Sequence, residues 1–407
     1  MDTILTLLDE EKSATRSAGS TRGFLLAFLV PCVVGALLAG FSFAVLTSNN
    51  EQVGPVEAAR IQHEQGGLYG SALYYRPYPY KLELYRLNRP DVAVVGSSRA
   101  MPFLRDGFAA SEISLGGAVN EIAEGERLIP EMLAIHKPKL VIFTLDYWWF
   151  NEVRVAEAGE ISTGTETSFT LKDLIAPYQW IIHGDADFGA LVQTILKRPE
   201  GEPRLGAWAT QNGSGFDAYG AEHYGAILTG VRKHPDKVFK TTLKRLRNAK
   251  ADSKMAASGA FSEAAWSSLL EIAAALKGEG VEVRFVLPPV AGPVLKAMRE
   301  GKGTGLLDTL HERLAGSGLG FYDFTDGPSF GSQDCEFVDG LHGGFVAYFR
   351  MLRTMAPDLE SVPSLRGLVR PVGELDGLIA ANSGRATLRD AAWSGSEVDF
   401  LGLGCQK

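Results

Sequence analysis

The most uniform apolar stretch of the chain lies near its start, where residues 23–50 contain no Asp, Glu, Lys, Arg or His. The run is longer than the roughly 18 apolar residues that a spanning helix needs and the roughly 7–15 of a secretory signal core. It therefore reads as an uncleaved transmembrane anchor, kinked at Pro31. Residues 1–22 ahead of it are polar and of mixed charge, and form a cytoplasmic tail. Lys12, Arg16 and Arg22 precede the span and only Arg60 follows it at a comparable distance. This bias places the remainder of the chain outside, as the periplasmic or otherwise extracytoplasmic part of a single-pass inner-membrane protein.

Beyond the anchor the period changes. Residues 51–90 form a juxtamembrane connector whose 68–85 stretch is crowded with Tyr and Pro. Such rings suit a membrane interface, a sugar face or plain packing. Val92, Ala93, Val94 and Val95 are apolar on both faces and predict a buried parallel strand stopped at Gly96. Helical spacing follows over 120–136, with Pro130 expected to kink or restart it, and 139–146 predicts a second buried strand. Residues 152–258 break this alternation and read as an insertion over the functional face. Regular structure resumes with a helix capped by Ser262 and ended at Gly278, a strand over 281–287 closed by Pro288 and Pro289, and a helix over 306–314. A short strand at 320–324 and a helix over 345–355 complete the series. The alternation predicts an α/β domain over 91–359, a three-layer parallel sheet with helices on both faces, and a C-terminal tail, 360–407, packed against it.

Composition narrows the function. With 407 residues, 45% hydrophobic and 22% charged, the chain is built to fold rather than to stay disordered. A net charge of -8 with no basic arm argues against a nucleic-acid binder. The seven histidines are scattered and no metal-ligand spacing occurs, so neither a metal nor another cofactor is expected.

Candidate chemistry gathers at two motifs. Gly96, Ser97 and Ser98 end the first strand, where ligands collect in open α/β sheets, and Asp339 and His342 lie three apart in a turn-rich segment. A serine hydroxyl becomes a nucleophile when an imidazole takes its proton and a carboxylate orients that imidazole. Ser98 is the expected nucleophile, with Ser97 as the alternative.

The two motifs together resemble the SGNH (GDSL-like) hydrolase superfamily. The likeness covers roughly residues 75–355 and is nearest to its membrane-anchored branch of DltD-like and AlgJ/AlgX-like O-acyltransferases, in which Gly-Ser-Ser replaces Gly-Asp-Ser. The resemblance implies a flavodoxin-like sheet and a Ser98, Asp339, His342 triad. It also implies an oxyanion site that draws on Gly116 or Gly117 and on Asp146 or Asn151, the last two standing where the superfamily places an Asn. The implied activity is O-acylation, chiefly O-acetylation, of a cell-surface or exported polysaccharide through an acyl-Ser98 intermediate. The implied partners are a glycan acceptor and a multi-spanning membrane O-acyltransferase that supplies the acyl group. An esterase or deacetylase would share the same acyl-serine, and a catalytically silent glycan-binding scaffold would share the same fold.

Three further features are open to two readings each. Tyr147, Trp148, Trp149 and Phe150 follow the second strand and suit either a sugar or acyl pocket or packing under the insertion. The basic segment 232–247 carries Phe239, Leu243 and Leu246 at helical spacing, so it either attracts anionic headgroups or glycan or is simply solvated. Of three cysteines, Cys32 lies in the anchor, which leaves Cys335 and Cys405 to pair in an oxidising compartment.

Overall fold

The structure is a computed structural model that describes residues 2–155, 169–197, 201–231, 235–249, 256, 259–301, 304–390, 393 and 395–407, with side chains described from residue 23 on and outside 154–155. Among these residues the chain divides into two compact units, one drawn from Met1–Ser48 with Phe169–Arg198 and the other from the remainder. In the first, a single helix, Asp2–Ser48, runs through Pro31, and its Gly23–Ser48 portion is long and apolar enough to cross a membrane. It is joined there by two short helices, Ala176–His183 and Phe188–Leu196.

Among the described residues the larger unit holds nine strands: β1 (Leu68–Tyr69), β2 (Val92–Gly96), β3 (Glu112–Gly116), β4 (Leu140–Thr144), β5 (Arg204–Leu205), β6 (Ser214–Phe216), β7 (Glu222–Tyr224), β8 (Glu282–Leu287) and β9 (Phe321–Asp323). Five form an all-parallel sheet in the order β3-β2-β4-β8-β9. Counted along the chain within this sheet the order is 2-1-3-4-5. The direction of winding therefore reverses between β2 and β4, and the carboxyl end of β2 lies at that switch point.

Both faces of the sheet are buried, as the valine-rich strands predict. Ala93, Val95, Val141 and Phe143 face the helices Ile122–Ile135 and Glu263–Gly278 through Leu128, Ile129, Leu269 and Ile272. Val92, Val94, Leu140 and Ile142 face the helices Phe345–Ser361 and Val372–Asn382 through Phe349, Leu352, Leu375 and Ile379. Ser262 caps its helix as expected, its Oγ accepting the Ala265 N–H at 3.2 Å. Pro130 does not restart the helix Ile122–Ile135, which runs through it. The proline lies on the exposed side, where water can take up the carbonyl that its missing N–H leaves free.

The tyrosine-rich region is a structural part of this unit. Pro77–Asn88 is a helix with proline in its first turn, and Tyr80, Leu84 and Tyr85 are fully buried. β1 pairs with β5 and β6 and extends to β7, so residues read separately as connector and insertion close into one mixed sheet, β5-β1-β6-β7. Gln62 ties it down: its Nε2 donates to Phe216 O at 2.9 Å, and its Oε1 accepts the Tyr80 hydroxyl at 2.6 Å. Lys81 is buried beside them, its Nζ 4.0 Å above the Phe216 ring and donating to the Gly220 carbonyl. Burial pushes its pKa down to about 7. Within the basic segment, Arg232, Lys233 and His234 lie outside the described residues. Of the rest, Lys240–Arg247 forms a short helix, with Phe239 buried just ahead of it and Leu243 and Leu246 packed on the core.

Candidate active site

β2 ends on Gly96 because the chain passes β4 too closely for any side chain. A Cβ at Gly96 would fall 1.9 Å from Thr144 Oγ1. The next two residues turn. Ser97 caps a 3-10 turn, its Oγ accepting the Arg99 N–H at 3.1 Å, and Ser98 opens that turn with its hydroxyl half-exposed.

Asp339 and His342 reach the same place from the segment before the helix Phe345–Ser361. The Asp339 carboxylate folds the turn on itself, Oδ1 accepting the Leu341 and His342 N–H groups at 2.8 and 2.9 Å. Both its oxygens lie 2.9 Å from His342 Nδ1. His342 Nε2 lies 2.9 Å from Ser98 Oγ. Three residues separated by up to 244 positions thus form one continuous hydrogen-bonded relay at the switch point of the sheet.

The electrostatics suit a base. Burial pushes the Asp339 carboxyl up, but the His342 charge, its N–H and the two backbone amides outweigh this and hold it well below the usual carboxylate range. Burial lowers His342, and the Asp339 carboxylate more than reverses that, so its pKa lies above an ordinary histidine's. A neutral His342 is what accepts a proton. The acid limb of kcat/KM for an ester substrate is therefore expected above about pH 6.5. Asp339→Asn should move this limb downward as well as slow the reaction. A wild-type limb at or below that of Asp339→Asn would contradict the assignment.

Arg99, quoted in the motif but given no role by sequence, joins the parts. It is buried, and its Nη1 pairs with Asp146 Oδ1 at 3.0 Å. Nη2 donates to the Pro288 and Pro289 carbonyls at 2.6 and 2.8 Å, and Nε donates to Leu341 O at 3.1 Å. One guanidinium thus holds the ends of β4 and β8 and the histidine turn against the serine turn, and Tyr348 donates to its backbone carbonyl. Glu222 on β7 also belongs to the surroundings. Its N–H donates to Met101 O at 3.2 Å, and its charge acts with that of Asp339 to raise His342.

The other sequence candidates sit elsewhere in the chemistry. The Gly117 N–H is spent on the Gly96 and Ser97 carbonyls, both at 2.9 Å, and the Gly116 N–H on Ser114 Oγ at 3.2 Å. These glycines answer to packing: a Cβ at Gly116 would lie 2.5 Å from Met101 N. Asp146 is the buried partner of Arg99, its carboxyl pushed up by burial against the pull of Arg99 and Ser97. Asn151 is buried and its Oδ1 accepts the Val153 N–H at 3.1 Å, so it caps a local turn. Ser97 acts through its capping bond, whereas Ser98 holds the bond to His342. The Ser98 N–H makes no hydrogen bond among the described residues. Tyr147, Trp148, Trp149 and Phe150 are all buried, so they pack instead of offering an open stacking face.

Cys335 and Cys405 are disulfide-bonded, with Cα atoms 5.8 Å apart. The bond fastens the C-terminus four residues before Asp339. Lys407 reinforces it, its Nζ donating to the Cys335 and Gly384 carbonyls at 2.9 and 3.0 Å. Phe400 and Leu401 are buried nearby. Cys405→Ser opens a loop of 70 residues and is expected to cost about 4 kcal/mol in the chain-entropy account. Urea unfolding would show the loss, and a change under 1 kcal/mol, roughly one hydrogen bond's worth, would contradict it.

No family model and no curated protein matches this chain. The reading of the site accordingly stands on its residues and their geometry.

Proposed function

We propose that the protein is a membrane-anchored serine acyl-transfer enzyme of the SGNH type, working outside the cytoplasm on a polysaccharide hydroxyl. The observation that carries this reading is the relay from Asp339 through His342 to Ser98 at the switch point of the parallel sheet. In the proposed reaction Ser98 Oγ attacks the carbonyl carbon of the acyl donor while its proton passes to His342 Nε2. The carbonyl oxygen becomes an oxyanion, to which the Ser98 N–H can donate. Collapse breaks the bond to the donor oxygen, which leaves with the proton from His342, and Ser98 is left acylated. A sugar hydroxyl then gives its proton to His342 and attacks the acyl-serine, and the returning proton restores Ser98.

The extracytoplasmic placement is supported by the lysines and arginines that precede the apolar span and by the Cys335–Cys405 bond, which suits an oxidising compartment. Transfer separates from hydrolysis by the fate of the acyl group. With p-nitrophenyl acetate as donor and a mixture of neutral and acidic hexose oligosaccharides as acceptor, the full-length protein in detergent should yield acetylated oligosaccharide. Nitrophenol release with free acetate alone would make it an esterase. Absence of any turnover above the Ser98→Ala background would make it a scaffold.

A further inference from the structure

The 171–196 segment of the first unit, which contains its two short helices, exposes an unusual amount of apolar surface. Leu171 is 84% exposed, Ile175 54%, Ile182 76%, Phe188 56% and Leu196 80%. Ile175 closes a 3-10 turn directly ahead of the helix Ala176–His183 with right-handed helical backbone, so it and Ile182, seven residues on, line one side. The helix Phe188–Leu196 carries no charged side chain. In a water-soluble setting such a surface would be an anomaly.

The same segment is fixed to the apolar part of the long helix. The Tyr178 hydroxyl donates to the Leu38 carbonyl at 2.6 Å, and the Phe41 ring lies 5.9 Å from that of Tyr178 and 5.6 Å from that of Phe188. Phe43 meets Phe169 edge-on at 6.3 Å. At 1.5 Å per residue, Leu38 and Phe41 lie about 15 and 10 Å from the Ser48 end of the span. The whole 26-residue span is about 39 Å long, against about 30 Å of hydrocarbon, so a span centred in the bilayer would put both residues among acyl chains and below the headgroups. Whatever packs on them enters the leaflet too.

Polar features of the segment agree with this depth. The Tyr178 hydroxyl has a partner, as hydrocarbon requires. The ionisable groups Lys172, Asp173, His183, Asp185, Asp187 and Lys197 are confined to the ends of the helices and the turn between them, from where they can reach the headgroup layer.

We propose that the 171–196 segment is a second membrane element, a helical hairpin lying in the outer leaflet beside the anchor with Leu171, Ile175, Ile182, Phe188 and Leu196 in the acyl chains. This rests on the anchor reading of Gly23–Ser48.

The test uses the full chain in phosphatidylethanolamine and phosphatidylglycerol nanodiscs, with Cys32→Ser as background and single nitroxide labels at Leu29→Cys, Ile182→Cys and Leu196→Cys. All three labels should collide with oxygen severalfold more readily, relative to a water-soluble nickel chelate, than a label at Lys277→Cys on the solvated face of the helix Glu263–Gly278. Lipid-like behaviour at Leu29 with nickel-accessible labels at Ile182 and Leu196 would overturn the hairpin and leave the anchor standing. Nickel access at Leu29 as well would remove both. Labels at Ile182 and Leu196 shielded from both reagents and broadened by spin–spin coupling would mean that a second copy covers the surface, which also overturns the lipid assignment.

Discussion

Replacement of Ser98 by alanine is expected to abolish acyl turnover, by about 10⁴- to 10⁶-fold, while leaving the protein folded. The reason lies in the division of labour at the turn. Ser98 Oγ is half-exposed and its side-chain partner is His342, so its removal forfeits a single hydrogen bond, about 1 kcal/mol of stability. His342→Ala should cost a comparable factor, because members of such a relay act as a unit, and the double variant should be little worse than either single one. Ser97→Ala should weaken the turn through its lost cap yet retain a working nucleophile. Initial rates with p-nitrophenyl acetate, beside circular dichroism of each variant, would check this. Near wild-type turnover in Ser98→Ala would remove the acyl-serine from the account.

Arg99→Met is expected to be the most damaging single change to stability at the site, at about 3–5 kcal/mol, because Asp146 would be left as a buried carboxylate without its cation. Three carbonyls, those of Pro288, Pro289 and Leu341, would lose a donor at the same time. Adding Asp146→Leu should recover much of the stability, since a buried pair replaced by apolar groups is often neutral. It should not recover activity, because nothing then holds Leu341, the neighbour of His342, against the serine turn. Arg99→Lys keeps the charge but lacks the planar fork that reaches all four acceptors, so it should fall between. Urea unfolding and kcat, measured on the same four proteins, separate the two effects. A double variant that regains both would show that Arg99 serves the fold alone.

The strand that bears the serine, and the serine, aspartate and histidine themselves, were legible because each announces itself locally. Four apolar residues ending on glycine mark β2, and Asp339 and His342 are close enough in sequence to meet in one turn. Arg99 was not legible as a clamp, although it stands next to Ser98, because three of its four acceptors are backbone carbonyls and no residue identity encodes them. The bonding of the glycine amides was hidden for a related reason. Gly116 and Gly117 look like amide donors in sequence, but only the packed structure shows those amides already bonded and the missing Cβ atoms required by Met101. β3 went unread as a strand because Glu112 and Ser114 interrupt its apolar pattern, although both are buried. The mixed sheet was hidden by size: β1 and β5 are two residues long, too short for any period, and they meet across 136 positions between Leu68 and Arg204.

The central claim, that Ser98 is a nucleophile driven by His342, is tested most directly by a fluorophosphonate, which serine attacks at phosphorus with loss of fluoride and which then stays bound. Peptide mapping of the labelled full-length protein should find one adduct, on Ser98, formed rapidly in the wild type, severely slowed in His342→Ala and absent in Ser98→Ala. An adduct on Ser97 or any other residue, or labelling of Ser98 at the same rate without His342, would contradict the account.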